Sequence, residues 1–259
     1  MINFNINNLF INSTKMDIIP LDIFKEIFQY CDFLTKIRFR QINKFLFNNF
    51  HIIDFYYIET KYLSKLTDNI LKNHKFIRYL NACANPKIKD VSWMRNLKEL
   101  NAGGWSCELD QLGIKGLDLI KLDAYNNPKI IDVCWMKNLK ELDAGGFCGI
   151  NQLGIKELDL IKLDTYNNPK IKDVSWMKNL KELDASGNCG IDQSGINGLD
   201  LIKLNAFNNP KIKDVSWMKK LKVLNACANC GIDQIGINGL DLLELYVCDN
   251  SKIKKCWIG

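Results

Sequence analysis

Ten cysteines and two histidines are the side chains of this chain best suited to nucleophilic or metal chemistry, and their spacing decides which chemistry is open to them. Cys227-Ala228-Asn229-Cys230 has the gap of a zinc-binding thiolate pair, but a structural zinc ion needs about four ligands and no second pair or ligand-spaced histidine follows. His51 and His74 both lie far upstream. Cys107, Cys148, Cys189 and Cys230 recur every 41 residues, which makes them parts of a repeat. If 41 residues form two solenoid coils, successive members stand roughly 10 Å apart, beyond the roughly 7 Å between Cα atoms that a disulfide tolerates. Free thiols are expected, as suits an intracellular, cytoplasmic location. Nothing pairs a nucleophile with a base, and no Gly-rich phosphate loop occurs. The expectation is a non-catalytic protein with no cofactor and no metal.

The net charge of +6 is spread along the chain and never gathers into a basic block, so neither nucleic acid nor a membrane surface is expected as a partner. No stretch approaches the roughly 18 apolar residues of a membrane-spanning helix. Residues 1–15 alternate Asn with apolar residues and lack a basic n-region. They read as a disordered extension, with Met16 as an alternative start.

The elements that must position these side chains are set by self-similarity. Pro86, Pro128, Pro169 and Pro210 recur at intervals of 41 or 42 residues, as do Trp93, Trp135, Trp176 and Trp217. The motif L-x-x-L-x-(small)-x-x-N aligns nine times, from Ile77, Leu97, Leu119, Leu139, Leu160, Leu180, Leu201, Leu221 and Leu242. In Leu160-Ile161-Lys162-Leu163-Asp164-Thr165, strand alternation turns Leu163 and Thr165 inward and Lys162 and Asp164 to solvent. Asn stands at the ninth position in Asn85, Asn127, Asn168, Asn188, Asn209, Asn229 and Asn250, where its amide can satisfy backbone groups that have left the sheet.

This pattern resembles the leucine-rich repeat. The resemblance covers residues 77–259 and implies a solenoid of about nine short coils with a parallel concave β-sheet. The chain departs from the family in having small residues, Ala82 to Ala226 and Thr165, at an aliphatic position, and Trp105 and Phe147 at the Asn position. The Val-Ser/Cys-Trp-Met segments beginning at Val91, Val133, Val174 and Val215 are expected to fold inward and supply the missing volume. Coils of this length leave room only for 3₁₀ or extended backs.

Ahead of the repeats, Ile23, Ile27 and Tyr30 recur at helical spacing, and further helices are expected over 33–41 and from Lys44. The stretch Ile19-Pro20, Asp22 to Tyr30, Leu34 and Arg40-Gln41-Ile42-Asn43-Lys44-Phe45 resembles the F-box, with Phe45 where that family commonly has Trp. The expected fold class is therefore α+β: a three-helix F-box-like module over 16–58, a helical linker or cap over 59–76, then the solenoid. An F-box with leucine-rich repeats resembles substrate adaptors, including a group encoded by large DNA viruses, and the Asn, Ile and Lys excess fits an AT-rich genome.

The resemblance implies docking to the Skp-type subunit of a cullin ubiquitin ligase through Ile19, Pro20, Ile23, Ile27, Phe28, Leu34 and Phe45, while the repeats hold a target protein. The concave candidates are Lys121, Asp123 and Tyr125, Lys162, Asp164 and Tyr166, and Lys203, Asn205 and Phe207. Three plainer readings stand beside this. The column Glu99, Lys121, Glu141, Lys162, Glu182, Lys203 alternates in sign and can pair with itself, and each ring can simply cover a neighbouring glycine. The N-terminal helices can equally cap a protein-interaction solenoid that has no ubiquitin role.

Overall fold

The computed structural model describes residues 21–254, in two compact units that meet in sequence between Ile52 and Ile53. Residues 1–15, Met16, Ile19, Pro20 and Lys255-Cys256-Trp257 lie outside the described residues.

The first unit holds α1 (Leu21–Tyr30), α2 (Phe33–Gln41) and α3 (Lys44–Asn49). Asp32 caps α2 by accepting the Thr35 N–H at 2.9 Å, and Asn43 caps α3 through the Leu46 N–H at 2.9 Å, each satisfying a donor that a helix start leaves orphaned. An aromatic cluster holds the helices together. Phe39 contacts Phe24, Phe28 and Phe50 with ring centroids 5.7, 5.5 and 4.9 Å apart.

The second unit is a parallel β-solenoid of about nine turns, a repeat architecture in which each coil adds one strand. Its sheet runs β1 (Asp54–Phe55), β2 (Tyr79–Asn81), β3 (Glu99–Asn101), β4 (Lys121–Asp123), β5 (Glu141–Asp143), β6 (Lys162–Asp164), β7 (Glu182–Asp184), β8 (Lys203–Asn205), β9 (Val223–Asn225) and β10 (Glu244–Tyr246). Strand order equals chain order, and neighbouring strands pair in parallel. The sheet thus starts at Asp54, ahead of the first repeat motif, and α4 (Thr60–Leu63) and α5 (Asp68–Lys72) fill the turn between β1 and β2.

Each strand is three residues long from β2 onward because only its middle leucine has a core to enter. Leu163 and Thr165 are buried while Lys162 is exposed, as alternation requires. Thr165 Oγ1 donates to the Asp184 carbonyl at 2.8 Å, so the one hydroxyl in the alanine column is satisfied.

Past the strand, a buried asparagine ties each alternate coil to the one before. Asn127 Nδ2 donates to Ala102 and Leu109 carbonyls at 2.7 and 3.0 Å, and its Oδ1 accepts the Lys129 N–H at 2.9 Å. Asn168, Asn209 and Asn250 repeat this set one double coil later each time, and Asn85 reaches Leu63 and Leu66 in the α4–α5 turn. The lysine two residues on adds a further tie. Lys129 and Lys252 Nζ donate to the Cys107 and Cys230 carbonyls at 3.1 and 3.0 Å, and Lys170 and Lys211 do the same to Cys148 and Cys189. These lysines form tethers between coils.

In the intervening coils the alignment by asparagine misleads. Trp105, Phe147, Asn188 and Asn229 are exposed. The chain runs one or two residues further, and Cys107, Cys148, Cys189 and Cys230 take the buried place. Cys148 and Cys189 Sγ accept the N–H two residues on, at 3.5 and 3.2 Å, the bond that asparagine Oδ1 makes in the other coils. Burial pushes the Cys107 thiol to about 11 and Cys148 to about 12, so both stay protonated. The nine described cysteines are free thiols.

The backs of the coils correct one expectation. Val91, Val133, Val174 and Val215, with Met94, Met136, Met177 and Met218, fill the interior. The tryptophans lie partly exposed on the outside, and Trp135, Trp176 and Trp217 each donate Nε1–H to a carbonyl of the preceding coil at 3.0 Å. An indole N–H needs a partner, and the coil edge offers one. Single 3₁₀ turns close the backs at Leu153–Ile155, Ser194–Ile196 and Ile235–Ile237.

Two outcomes check this account. Asn168→Ala strands two carbonyls and one N–H, and is expected to lower stability by about 3 kcal/mol in urea unfolding, whereas the exposed Asn188→Ala changes it by less than about 0.5 kcal/mol. Glu157 has φ of 63° where the equivalent coils have Gly116, Gly198 and Gly239. Glu157→Gly removes a left-handed strain of about 1 kcal/mol against the loss of an exposed pair with Lys137, and a small rise in the urea midpoint is expected.

Candidate functional site

The solvent face of the sheet brings the predicted target-binding residues into three columns, because parallel pairing in register stacks equivalent positions. In the first column Lys121 faces Glu141 and Lys162 faces Glu182, with ion pairs of 3.3 and 3.5 Å. The self-paired ladder is therefore present over these coils, each exposed pair contributing about 0–1 kcal/mol. The alternation breaks at Lys203, which faces Val223 and makes no ion pair among the described residues.

The second column reads Asn81, Asn101, Asp123, Asp143, Asp164, Asp184, Asn205, Asn225. Every member turns its Oδ1 back to accept the N–H two residues on, at 2.8–3.1 Å. Four carboxylates thus stack at the strand spacing of about 4.8 Å, and like charges so placed repel. Burial, then the charge of Asp164, pushes Asp143 up to about 7. Burial, then Asp184, pushes Asp164 up to about 6, and burial raises Asp123. Asn205 closes the column by donating Nδ2–H to Asp184 Oδ2 at 2.6 Å. The signal for this stack was four aspartates at one strand position in consecutive coils; the burial that raises Asp123, Asp143 and Asp164 is not visible in the letters.

In the third column the Tyr125 and Tyr166 rings lie against glycines of the next coil. A Cβ on Gly145 or Gly146 would meet the Tyr125 ring at 3.1 or 3.2 Å, and one on Gly187 the Tyr166 ring at 3.2 Å. Tyr125, Tyr166 and Phe207 nonetheless keep 37%, 37% and 41% of their surface, so each presents a ring edge to the sheet face. A concavity of about 400 Å³ spans β6 to β10. It gathers Lys162, Asp164, Lys203 and Asn205 with Glu244 and Tyr246, whereas Lys121, Asp123, Tyr125, Tyr166 and Phe207 are not in its lining. Glu244 and Tyr246 were not among the sequence candidates, because Tyr246 departs from the repeat.

On the helical unit, Ile23, Ile27 and Phe45 are exposed and Leu34 is half-buried. Phe28 is corrected: it is 3% exposed and belongs to the aromatic core, 5.3 Å from Phe50, so it supports the helices from inside and has no free face for a partner. Among the described residues no three His, Cys, Asp or Glu side chains converge as a metal site, and no helix is long and apolar enough to cross a membrane. No protein-family profile matches the chain, and a search of the curated proteins returns no relative.

A carboxyl whose folded-state pKa lies above the unfolded value near 3.8 stabilises the fold fully below that value and loses the contribution as pH rises through about 6 to 7. Solenoid stability is expected to rise from pH 8 to pH 5 in urea titrations. Asp143→Asn, which keeps the turn-back bond that Asn101 and Asn205 make, should flatten that slope and stabilise the protein at pH 8 by on the order of 1–2 kcal/mol.

Proposed function

We propose that this chain is a non-catalytic adaptor, with an F-box-like helical unit that docks a Skp-type subunit of a cullin ubiquitin ligase and a leucine-rich-repeat solenoid that holds a target protein. The observation that supports the docking half is an apolar surface on small helices whose own core is already filled by Phe24, Phe28, Phe39 and Phe50. Ile23, Ile27 and Phe45 are 49%, 50% and 51% exposed, and side chains of this type left at the surface are the usual anchors of a protein interface. The target half rests on the sheet face, where charged columns and ring edges stand beside the β6–β10 concavity.

Such a protein works by position alone. Holding a target lysine near a charged conjugating enzyme raises its effective concentration, and no reactive group is needed on the adaptor itself.

The test is binding of the purified full chain to a Skp-type subunit by calorimetry. Micromolar or tighter affinity is expected, with a loss of more than tenfold in Ile23→Asp and in Leu34→Asp, each checked for folding by circular dichroism. Folded protein that fails to bind would leave an interaction solenoid with helices ahead of it and no ubiquitin role.

A further inference from the structure

The last two coils hold a pair of thiols that the repeat does not use. Beyond β9 and β10 the strands stay hydrogen-bonded: Ala226 N–H donates to the Tyr246 carbonyl at 2.8 Å, and Ala228 N–H to the Cys248 carbonyl at 2.6 Å. The register Asn225 to Tyr246 therefore continues and sets Cys227 opposite Cys248. Cys227 Sγ accepts the Cys248 N–H at 3.0 Å, which fixes this sulfur against its neighbour. Facing residues on adjacent strands stand about 4.8 Å apart, inside the roughly 4.4–6.8 Å between Cα atoms that disulfides adopt. Both residues are free thiols, Cys227 buried and Cys248 exposed.

This juxtaposition occurs once in the column. The equivalent positions upstream are Cys83, Gly103, Tyr125, Gly145, Tyr166, Ser186 and Phe207, so no earlier pair of neighbouring coils offers two sulfurs there. The end of the array is also where a staple matters most. Coil β10 has a sheet neighbour on one side only among the described strands, its strand residues are exposed or half-exposed, and end repeats open more readily than interior ones.

We propose that Cys227 and Cys248 form a reversible disulfide that staples the last coil to the one before it and so ties the order of that end of the solenoid to the thiol–disulfide balance around it. The oxidant is a small disulfide such as oxidised glutathione. Cys248, the exposed thiol, loses its proton and attacks one glutathione sulfur, releasing the other as glutathione thiolate, which takes up a proton. Cys227 then loses its proton and attacks the Cys248 sulfur; the second glutathione leaves and is protonated. Two protein thiols have given up two electrons, and one glutathione disulfide has become two thiols. Burial raises the Cys227 thiol above its ordinary range, so the second step slows at neutral pH and quickens as pH rises. The linkage encloses Glu244 and Tyr246, which are hydrogen-bonded to each other at 2.7 Å in the wall of the β6–β10 concavity.

The test incubates the full chain with glutathione at a series of oxidised-to-reduced ratios, blocks free thiols, and maps linked peptides by mass spectrometry. The expected result is a Cys227–Cys248 linkage that dithiothreitol reverses, together with amide exchange over residues 242–254 slowed about tenfold in the oxidised protein. Cys248→Ser, at an exposed position, should abolish both. Cys227→Ser should stop at a mixed disulfide on Cys248. Wild-type protein that forms only the mixed disulfide, or a linkage from either residue to Cys230 or Cys256, overturns the proposal. So does a Cys227–Cys248 linkage that leaves exchange over 242–254 unchanged.

Discussion

A buried side-chain amide in every second coil is the interaction on which the solenoid depends. Strands of three residues return the chain to irregular backbone almost at once, and the carbonyls left behind are buried and need partners. Asn127, Asn168, Asn209 and Asn250 each answer two such carbonyls of the preceding coil and one N–H of their own. Only a group with two donors and an acceptor on a short stem can do this at one place. The bonds run between coils, so they set the distance and the register of the stack as well as the turn itself. The residue just before, in the left-handed region at Asn126, Asn167 and Asn208 with φ of 53–54°, is again asparagine, which tolerates that conformation better than most side chains.

Locked register has consequences on the sheet face. Whatever occupies a strand position must face the equivalent position of the next coil. Where Lys and Glu alternate, the result is a set of weak pairs at 3.3–3.5 Å. Where aspartate repeats, the result is four stacked carboxyls along one partly buried strip, in which burial and the neighbouring aspartate charge push Asp143 and Asp164 up. The turn-back bond from each Oδ1 does not need a charge, since Asn101 and Asn205 make it too. Asp143 and Asp164 thus cost stability near neutral pH that asparagine would not.

The two coil types share a task with different chemistry. Asparagine brings three hydrogen bonds and a lysine tether. Cysteine brings a small apolar sulfur that accepts one N–H and leaves room for the lysine of the next coil to reach its carbonyl. A double coil of 41 residues is therefore the true repeat: each cysteine coil is held by the asparagine coil that follows it.

By itself the sequence determined the period, the strand positions and the inward leucines, because these follow from spacing alone: Leu122, Leu142 and Leu163 recur, and alternation does the rest. Helices are expected over 33–41 and from Lys44, where α2 and α3 lie. Tertiary structure decided what depends on neighbours in the next coil. Cys148 rather than Phe147 enters the core because an extra residue in the turn shifts the inward position, which a gapless alignment hides. Trp135 lies outside because its N–H finds the Leu117 carbonyl across the coil edge, and Phe28 is core because Phe39 and Phe50 close on it. The titration of Asp143 and the meeting of Cys227 with Cys248 belong to the same class. Both arise between residues about twenty positions apart in the chain that parallel pairing brings to about 4.8 Å.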